Sequence, residues 1–434
     1  MKASHFVAQY LEARGVTHIY ELVGGMITHL LDSLSLQSGI QIVTCHHEQG
    51  AAFAAEGHAR ITGIPGVALA TSGPGATNLL TGIGSCYFDS TPAVFITGQV
   101  NTHELKGDRE IRQLGFQETD IVSMAKPICK LAVQVRQAAD LPMVLEEAFR
   151  QALEGRQGPC LVDLPMNVQA ETIDEQPALE ALRRAQELAN SKAFHIQATD
   201  SATTDLPDQF QQLLQAIDGA QRPLLLMGGG CAAVPNRTAA VDVANRLGIP
   251  VVLSLMGVDV LPETHPLRVG FIGSYGNRWA NKALGAADLL VVMGSRLDIR
   301  QTGADVESFC TGKQIWQIDI DQAEMGVRVQ PDRSLCCSIQ AAAAQLALAD
   351  HPSPSEPGPW KLEIQEMRMQ YPAPREYTTE PGECNPVALL QEVSQLVPHP
   401  CQYITDVGQH QMWAAQSLAF GSQDRFLTSG GMGA

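Results

Sequence analysis

One carboxylate, Glu48, stands in the run Ile42-Val43-Thr44-Cys45-His46-His47-Glu48-Gln49-Gly50-Ala51-Ala52. Residues 42–44 read as a short buried strand, and an alanine-rich helix pattern covers residues 50–60. The carboxylate thus falls at a strand-to-helix junction, where open α/β sheets place ligands and where a carboxyl group can exchange a proton with one. The ordinary reading of the same residue is a first-turn charge favoured by the helix macrodipole. A second junction follows, with Val67-Ala68-Leu69-Ala70 leading into Thr71-Ser72-Gly73-Pro74-Gly75-Ala76-Thr77-Asn78. Such a turn lets backbone N–H groups approach a ligand, or simply reverses the chain. Gly24 and Gly25 form a third glycine turn, between a strand at 18–23 and a helix carrying Ile27, Leu30, Leu31 and Leu34. His46 and His47 are adjacent, so on a strand end they point to opposite faces and do not make a shared metal site.

The elements around these junctions form a repeating pattern of strand, loop and helix. Ser4 is placed to cap a first helix with Val7, Tyr10 and Leu11 on one face, and Gly15 to end it. Residues 93–99 are a continuous apolar run of the kind found in central parallel strands. Gly115-Phe116-Gln117-Glu118-Thr119-Asp120 reads as a polar loop, and a helix at 141–154 and a strand at 159–164 close a first α/β domain near Asn167. Residues 171–205 lack a strand-like apolar run and read as a connection with some helix. A second domain opens with Pro223-Leu224-Leu225-Leu226-Met227-Gly228-Gly229-Gly230, followed by a helix through Val241 and Leu247. Three further strand-then-loop units lead to Ser254-Leu255-Met256-Gly257, to Arg296-Leu297-Asp298-Ile299-Arg300 and to Asp319-Ile320-Asp321. Carboxylates at strand ends suit ribose hydroxyls and arginines suit pyrophosphate, although three glycines in a row are not the spacing of a dinucleotide fingerprint. Residues 351–382 have a proline-rich linker composition with one helical piece at 360–371. Asn385-Pro386 then starts a helix whose apolar set is Leu389, Leu390, Val393, Leu396 and Val397, and a strand at 402–405 opens onto Asp406-Val407-Gly408-Gln409-His410.

Composition narrows the function classes. The 434 residues suffice for two to four domains, and the 45% apolar fraction suffices for packed cores. The net charge of −17, without a dense Lys/Arg run, argues against nucleic acid as a partner. No run of about 18 apolar residues suggests a membrane span. The ten cysteines are scattered without a C-x-x-C pair, which fits reduced thiols in a cytoplasmic protein.

In order and spacing, these motifs resemble the thiamine diphosphate enzymes related to acetolactate synthase. That family carries a His-Glu-Gln-Gly-Ala run, here at Glu48; an Ala-Glu-Gly…Ala-Arg helix, here Ala55-Glu56-Gly57 and Ala59-Arg60; and the Thr-Ser-Gly-Pro-Gly-Ala-Thr-Asn turn. The likeness continues through Phe116-Gln117-Glu118, the Gly-Gly-Gly turn, the Arg-x-Asp-x-Arg loop, the Asp406-to-Gln416 stretch and Thr428-Ser429-Gly430-Gly431-Met432-Gly433. It implies an α/β architecture of open parallel-sheet domains: a pyrimidine-binding domain at 1–168, a linker at 169–205, a central FAD-binding-like domain at 206–350, a linker at 351–383 and the start of a diphosphate-binding domain at 384–434. It implies Glu48 as the carboxyl group facing N1′ of the aminopyrimidine, with Phe116 and Gln117 toward the reacting carbons. Thiamine diphosphate contacts carry over to Gly24, Gly25, Ser72, Gly73, Pro74, Gly75, Asn78, Val407, Gly408, Gln409, His410 and Gly433. FAD contacts carry over to Gly228, Gly229, Gly230, Ser254, Leu255, Arg296, Asp298, Arg300 and Asp319.

Two positions depart from the family pattern. Val23 replaces the proline before Gly24, and Ile299 replaces an aspartate beside Asp298. The family's Gly-Asp-Gly…Asn-Asn motif for Mg2+ has no match in this sequence, so the resemblance implies a chain truncated before its metal ligands and inactive alone. For the complete enzyme the implied reaction joins pyruvate, with loss of carbon dioxide, to a second 2-oxoacid. The implied assembly is a homo-oligomer with an active site shared between subunits, with a regulatory small subunit as a further partner. Three other readings stay open. Ala125-Lys126-Pro127 and residues 130–133 look like glyoxylate carboligase, which has valine at the Glu48 position; a flavin-dependent pyruvate oxidase and an inactive FAD-binding remnant are the others.

Overall fold

The computed structural model describes residues 1–190, 205–349, 358–372 and 383–433, in two compact units, Met1–Ile196 and Gln197–Ala434. The first unit is built on one parallel sheet of β1 (His18–Leu22), β2 (Gln41–Thr44), β3 (Gly66–Ala70), β4 (Ala93–Gln99), β5 (Leu131–Gln134) and β6 (Pro159–Pro165). Its order is β2-β1-β3-β4-β6-β5, so the chain leaves β1 first to one side and then to the other. The resulting switch point lies between β1 and β3, where the carboxyl ends of strands leave a crevice. Strands β3, β4 and β6 are buried throughout, which explains their unbroken apolar runs. The strand before Glu48, expected to be buried, is instead the half-exposed edge strand β2. Its two adjacent apolar residues, Ile42 and Val43, point to opposite faces and are each only half-buried, because no strand lies beyond β2.

Helices cover both faces. One face packs large side chains, among them Phe6, Tyr10, Leu145 and Phe149, from helices Ala3–Ala13 and Leu141–Leu153. The other packs small ones, Ala51, Ala52, Ala55 and Ala76, from helix Glu48–Thr62 and its neighbour. The small residues allow close approach. A Cβ on Gly66 would lie 1.9 Å from the Ala55 carbonyl oxygen, and one on Gly82 would lie 2.3 Å from Ala52 Cβ. The alanine run therefore presses this helix, with Glu48 at its start, onto the sheet. Ser4 does not cap the first helix, because the helix begins one residue earlier; its hydroxyl is buried and accepts from Ser33 Oγ at 2.8 Å. Gly15, at φ +79°, follows the helix end as expected.

The segment read as a linker contains helix Glu175–Asn190, which buries Ala178, Ala181 and Ala185 in the first core and pairs Arg184 with Glu146 at 2.9 Å. Residues 191–204 lie outside the described part. The second unit holds β7 (Pro223–Met227), β8 (Val251–Leu253), β9 (Arg268–Phe271), β10 (Leu289–Met293), β11 (Gln314–Asp319) and β12 (Arg333–Cys336), all parallel. The order β12-β11-β10-β7-β8-β9 places its switch point between β7 and β10, as in doubly wound dinucleotide-binding sheets. Helix Pro359–Gln370, from the second expected linker, buries Trp360 and Ile364 against this sheet, and Trp360 Nε1 donates to the Pro223 carbonyl at 3.1 Å.

The last segment carries helix Pro386–Leu396, β13 (Gln402–Ile404), helix Gln409–Ser417 and β14 (Arg425–Leu427), with β13 and β14 paired in parallel. The Asn385 side chain accepts from Val387 and Ala388 N–H, as its position before proline predicts. The expected apolar face is only partly used: Leu390 packs against the cluster of Phe420 and Phe426, whereas Leu389 and Leu396 are exposed, and Val387, outside the expected set, is the buried apolar residue. Phe420 and Phe426 pack with Phe271 and Val258, and Asp259 accepts both from Arg237 (2.9 Å) and from the Phe426 N–H (3.1 Å). No helix among the described residues is long and apolar enough to cross a membrane.

Candidate cofactor sites

At the first switch point the turns after β1 and β3 lock together. Thr71 Oγ1 accepts from the Met26 N–H at 3.2 Å, and a Cβ on Gly24 would lie 2.4 Å from Thr71 Cβ. Gly73, at φ +67°, leads into a short helix with Pro74 in its first turn. Glu48 starts its own helix and is 7% exposed. His47 caps that helix, its Nδ1 accepting from Gln49 N–H at 3.0 Å. The Glu48 carboxylate spans to the second turn: Oε2 accepts from Asn78 Nδ2 at 2.9 Å, and Oε1 would lie 3.2 Å from a Cβ on Gly75. Ser72 Oγ is buried and has no hydrogen-bond partner among the described residues. A buried acid, an orphaned hydroxyl and glycines without side chains together fit a polar ring bound over this crevice. Gly75 and Asn78 thus meet Glu48 directly, Gly24 meets Thr71 and Gly73 meets Gln117, while Gly25 and Pro74 are exposed on the same turns. Thr71, at the centre of this cluster, was read only as part of the turn motif.

The loop expected to hold Phe116 and Gln117 reaches the same place. Gln117 has φ +65°, and a Cβ on Gly73 would lie 3.1 Å from Gln117 Cβ. Phe116 is 79% exposed. Beneath the loop, Asp163 is buried at the end of β6 and accepts from Thr97 Oγ1 (2.7 Å), Gln134 Nε2 (2.9 Å) and Gln99 Nε2 (3.2 Å). Burial pushes the Asp163 carboxyl up to about 6, against the lowering effect of these three donors. Glu56, on the Glu48 helix, is likewise raised by burial and drawn back by Arg60. Gln99 and Asp163 were not singled out from the sequence, although a carboxylate inside the apolar run Leu161-Val162-Asp163-Leu164 is a usable signal.

At the second switch point the glycines meet backbone. Gly228 N–H donates to the Met293 carbonyl and Gly230 N–H to that of Gly294, at 2.9 and 3.0 Å. A Cβ on Gly228 would lie 2.2 Å from the Gly294 oxygen, and one on Gly229 would lie 2.9 Å from Met256 Cβ. The turns carrying Gly228 to Gly230, Ser254 and Leu255, and Arg296 are therefore brought together. Asp298 caps a short helix, accepting from Arg300 and Gln301 N–H, and lies 3.9 Å from Arg296. Asp319 ends β11 and accepts from the Asp321 N–H. Arg296, Ile299 and Arg300 are exposed. Gln317 Nε2 donates to the Ser295 carbonyl at 3.0 Å, while its buried Oε1 lacks a partner. That orphan, the exposed guanidinium groups and the strand-end carboxylate suit a nucleotide.

The two C-terminal loops also lie side by side. A Cβ on Gly433 would collide with Val407 Cγ2 at 1.9 Å, and Gln411 Nε2 donates to Thr428 Oγ1 and to the Ser429 carbonyl. Gly408, at φ +156°, turns the chain into the helix carrying Gln409 and His410, both exposed. Among the described residues, no group of three or more His, Cys, Asp or Glu is placed to hold a metal.

Comparison with known proteins agrees with this geometry. Residues 1–124 match the thiamine pyrophosphate enzyme N-terminal TPP-binding domain, and residues 210–346 match the central domain of the same enzymes. The acetolactate synthase isozyme 1 large subunit of Escherichia coli (strain K12) is 35% identical over 99% of this chain, which spans 72% of that protein. The acetolactate synthase large subunit of Lactococcus lactis is 34% identical over 99% of the chain, which spans 71% of it. For acetolactate synthase 2, chloroplastic, of Nicotiana tabacum the identity is 35% over the whole chain, which spans 62% of that relative. The first match holds β1 to β4 and their switch point, the second holds all of β7 to β12, and the chain belongs to the thiamine pyrophosphate-dependent enzymes, in the acetolactate synthase large-subunit family.

Proposed function

We propose that the chain serves decarboxylative carboligation, in which pyruvate loses carbon dioxide and its two-carbon remainder joins a second 2-oxoacid as an acetohydroxyacid. The supporting observation is Glu48, a buried carboxylate held by Asn78 against the glycine turn that carries the orphaned Ser72 hydroxyl. Thiamine diphosphate, when bound, supplies the ring carbon that holds the electron pair left by decarboxylation. Glu48 would hold or give a proton at Oε1, the oxygen not taken by Asn78, which faces Gly75. Ser72 Oγ would find in the cofactor the partner it lacks. Gln117, set against Gly73, would meet the acceptor substrate, and exposed Phe116 would line the same approach. Gly408, Gln409, His410 and Gly433 would hold diphosphate, and Mg2+ enters this reading with no ligand assigned.

In the central sheet, FAD would lie across the turns of Gly228, Ser254 and Arg296, with Asp319 toward a ribose and Gln317 Oε1 completing the donor set. Two relatives are named large subunits, which supports a regulatory small subunit and a homo-oligomer for this chain. No disulfide joins the described cysteines, which suits a reducing compartment such as the cytoplasm.

Glu48→Gln keeps size and the Asn78 contact while removing the acid. In the complete enzyme it should lower turnover by a factor on the order of 10² with an unchanged circular dichroism spectrum. Near-wild-type turnover refutes the assignment. A purified chain that is colourless and takes up no added FAD refutes the flavin reading.

A further inference from the structure

We infer that Glu118 is a positioning residue, whose carboxylate clamps the neck of the 106–114 loop and thereby holds Gln117 against the glycine turn at Gly73. The inference rests on the reading of Gln117 as a substrate-facing residue and adds what fixes it in place. Each Glu118 oxygen takes one backbone N–H: Oε1 from Lys106 at 2.6 Å and Oε2 from Leu114 at 2.7 Å. One side chain therefore closes both ends of the intervening loop. Around it, Glu118 N–H donates to the Gly115 carbonyl at 3.1 Å, and Gln113 Nε2 donates to the Glu118 carbonyl at 2.9 Å.

The flanking residues are tied down from the sheet. Gln99 Nε2 donates to the Thr119 carbonyl at 2.8 Å and is itself anchored on Asp163 Oδ2 at 3.2 Å. Gly115 is buried so closely that a Cβ there would lie 3.0 Å from both Glu104 Cβ and Val100 Cγ2. Gln117 lies between these fixed points with φ +65°, a conformation that a side-chain-bearing residue keeps only when its neighbours over-determine it. Its Cβ and carbonyl oxygen then fill the space that a side chain on Gly73 would need, at 3.1 and 3.2 Å. The order of action runs from Glu118 to Gln117 to the turn of Ser72 to Gly75, and none of the Glu118 hydrogen bonds described here reaches that turn directly.

The test is amide hydrogen exchange on the purified chain, comparing wild type with Glu118→Ala and Glu118→Gln. Glu118→Ala is expected to speed exchange about ten-fold in peptides 113–121 and also in 71–79, with the melting temperature held. Glu118→Gln keeps one acceptor oxygen but sets its amide N–H groups against the other backbone N–H, and is expected to restore only part of the protection in both. In turnover of the complete enzyme, Glu118→Ala should raise KM for the acceptor 2-oxoacid about ten-fold while kcat changes little. Faster exchange confined to 105–121, with 71–79 unchanged, overturns the inference, as does an unchanged acceptor KM. Gln117→Ala separates the two readings: if acceptor KM and kcat survive it while the exchange result stands, Gln117 has no substrate role but the clamp is real.

Discussion

The two parallel sheets each reverse their strand order once, and each sets glycines at the reversal, yet those glycines face different neighbours. In the first sheet Gly24, Gly73 and Gly75 lie against side chains: Thr71, Gln117 and Glu48. In the second, Gly228 and Gly230 lie against the backbone of Gly294. A side-chain neighbour can be trimmed or rotated, whereas a backbone carbonyl already committed to the sheet cannot. The glycine turn of the central domain is therefore spent first on joining two loops, and only what remains exposed is available to a nucleotide. In the first domain the same residue type leaves room for a reacting group. The buried polar groups differ too, since the first sheet carries the ionisable Asp163 between strands and the second the neutral Gln317.

The largest effect expected is at Gly228. Gly228→Ala puts a methyl group 2.2 Å from the Gly294 oxygen and should destabilise the second unit by about 3 kcal/mol or more, read in urea unfolding. No side-chain change at Ser295 or Met256 should rescue it. A well-folded Gly228→Ala would erase the contrast.

Asp163 comes next. With its folded value at about 6 against 3.8, it binds a proton in the folded state before it does in the unfolded one. Its contribution is most favourable below 3.8 and is lost as pH rises to about 6, some two units or about 3 kcal/mol in order of magnitude. Asp163→Asn can satisfy the same partners, its Oδ1 accepting from Gln99 and Gln134 and its Nδ2 donating to a rotated Thr97 hydroxyl. The variant should flatten stability between pH 4 and 6 and be the more stable protein at pH 7. A slope unchanged by the substitution would remove the ionisable group from the comparison.

A smaller effect sharpens the glycine contrast directly. Gly75→Ala meets Thr71 Cγ2 at 2.8 Å and Glu48 Oε1 at 3.2 Å, both side-chain atoms. It should cost about 1 kcal/mol, and Thr71→Ser, which deletes the methyl group, should recover most of it. Additive losses in the double variant would contradict the distinction drawn here.

The smallest effect lies in the C-terminal segment of the second unit. His399 sets Nδ1 2.7 Å from Asp424 Oδ2 and Nε2 3.0 Å from the Ser394 carbonyl, so two acceptors hold the protonated ring and raise its pKa. That stabilisation is complete below 6.5 and is lost as pH rises through the raised value. Burial raises the Asp424 carboxyl, but the bonds from His399, Cys401 and Gly421 outweigh it and leave it lowered. Protection of residues 399–427, taken relative to intrinsic amide exchange at each pH, should fall modestly above neutral pH, and His399→Ala should abolish that fall.

Much of the fold was legible in the chain. Central strands such as β4 and β10 announce themselves because burial on both faces demands an unbroken apolar run. The strands that escaped notice, β5, β9, β12 and β14, all lie at sheet edges, where one side is free and an exposed residue such as Arg333 is tolerated. The helices inside the two expected linkers were legible as helical pieces, but their docking onto the sheets was not. Their docked stripes are narrow, Ala178-Ala181-Ala185 and Trp360-Ile364, and composition alone does not reveal what they pack against.

At the site, residue type and spacing determined that a glutamate and a glycine-proline turn each follow a strand, because local chain chemistry places turns and helix starts. Only tertiary structure decided that Asn78 reaches Glu48, that Gln117 fills the space over Gly73, and that Asp163 anchors the loop between them through Gln99. Those contacts join stretches far apart in the chain, and their existence depends on strand order and close helix approach, which no local pattern encodes.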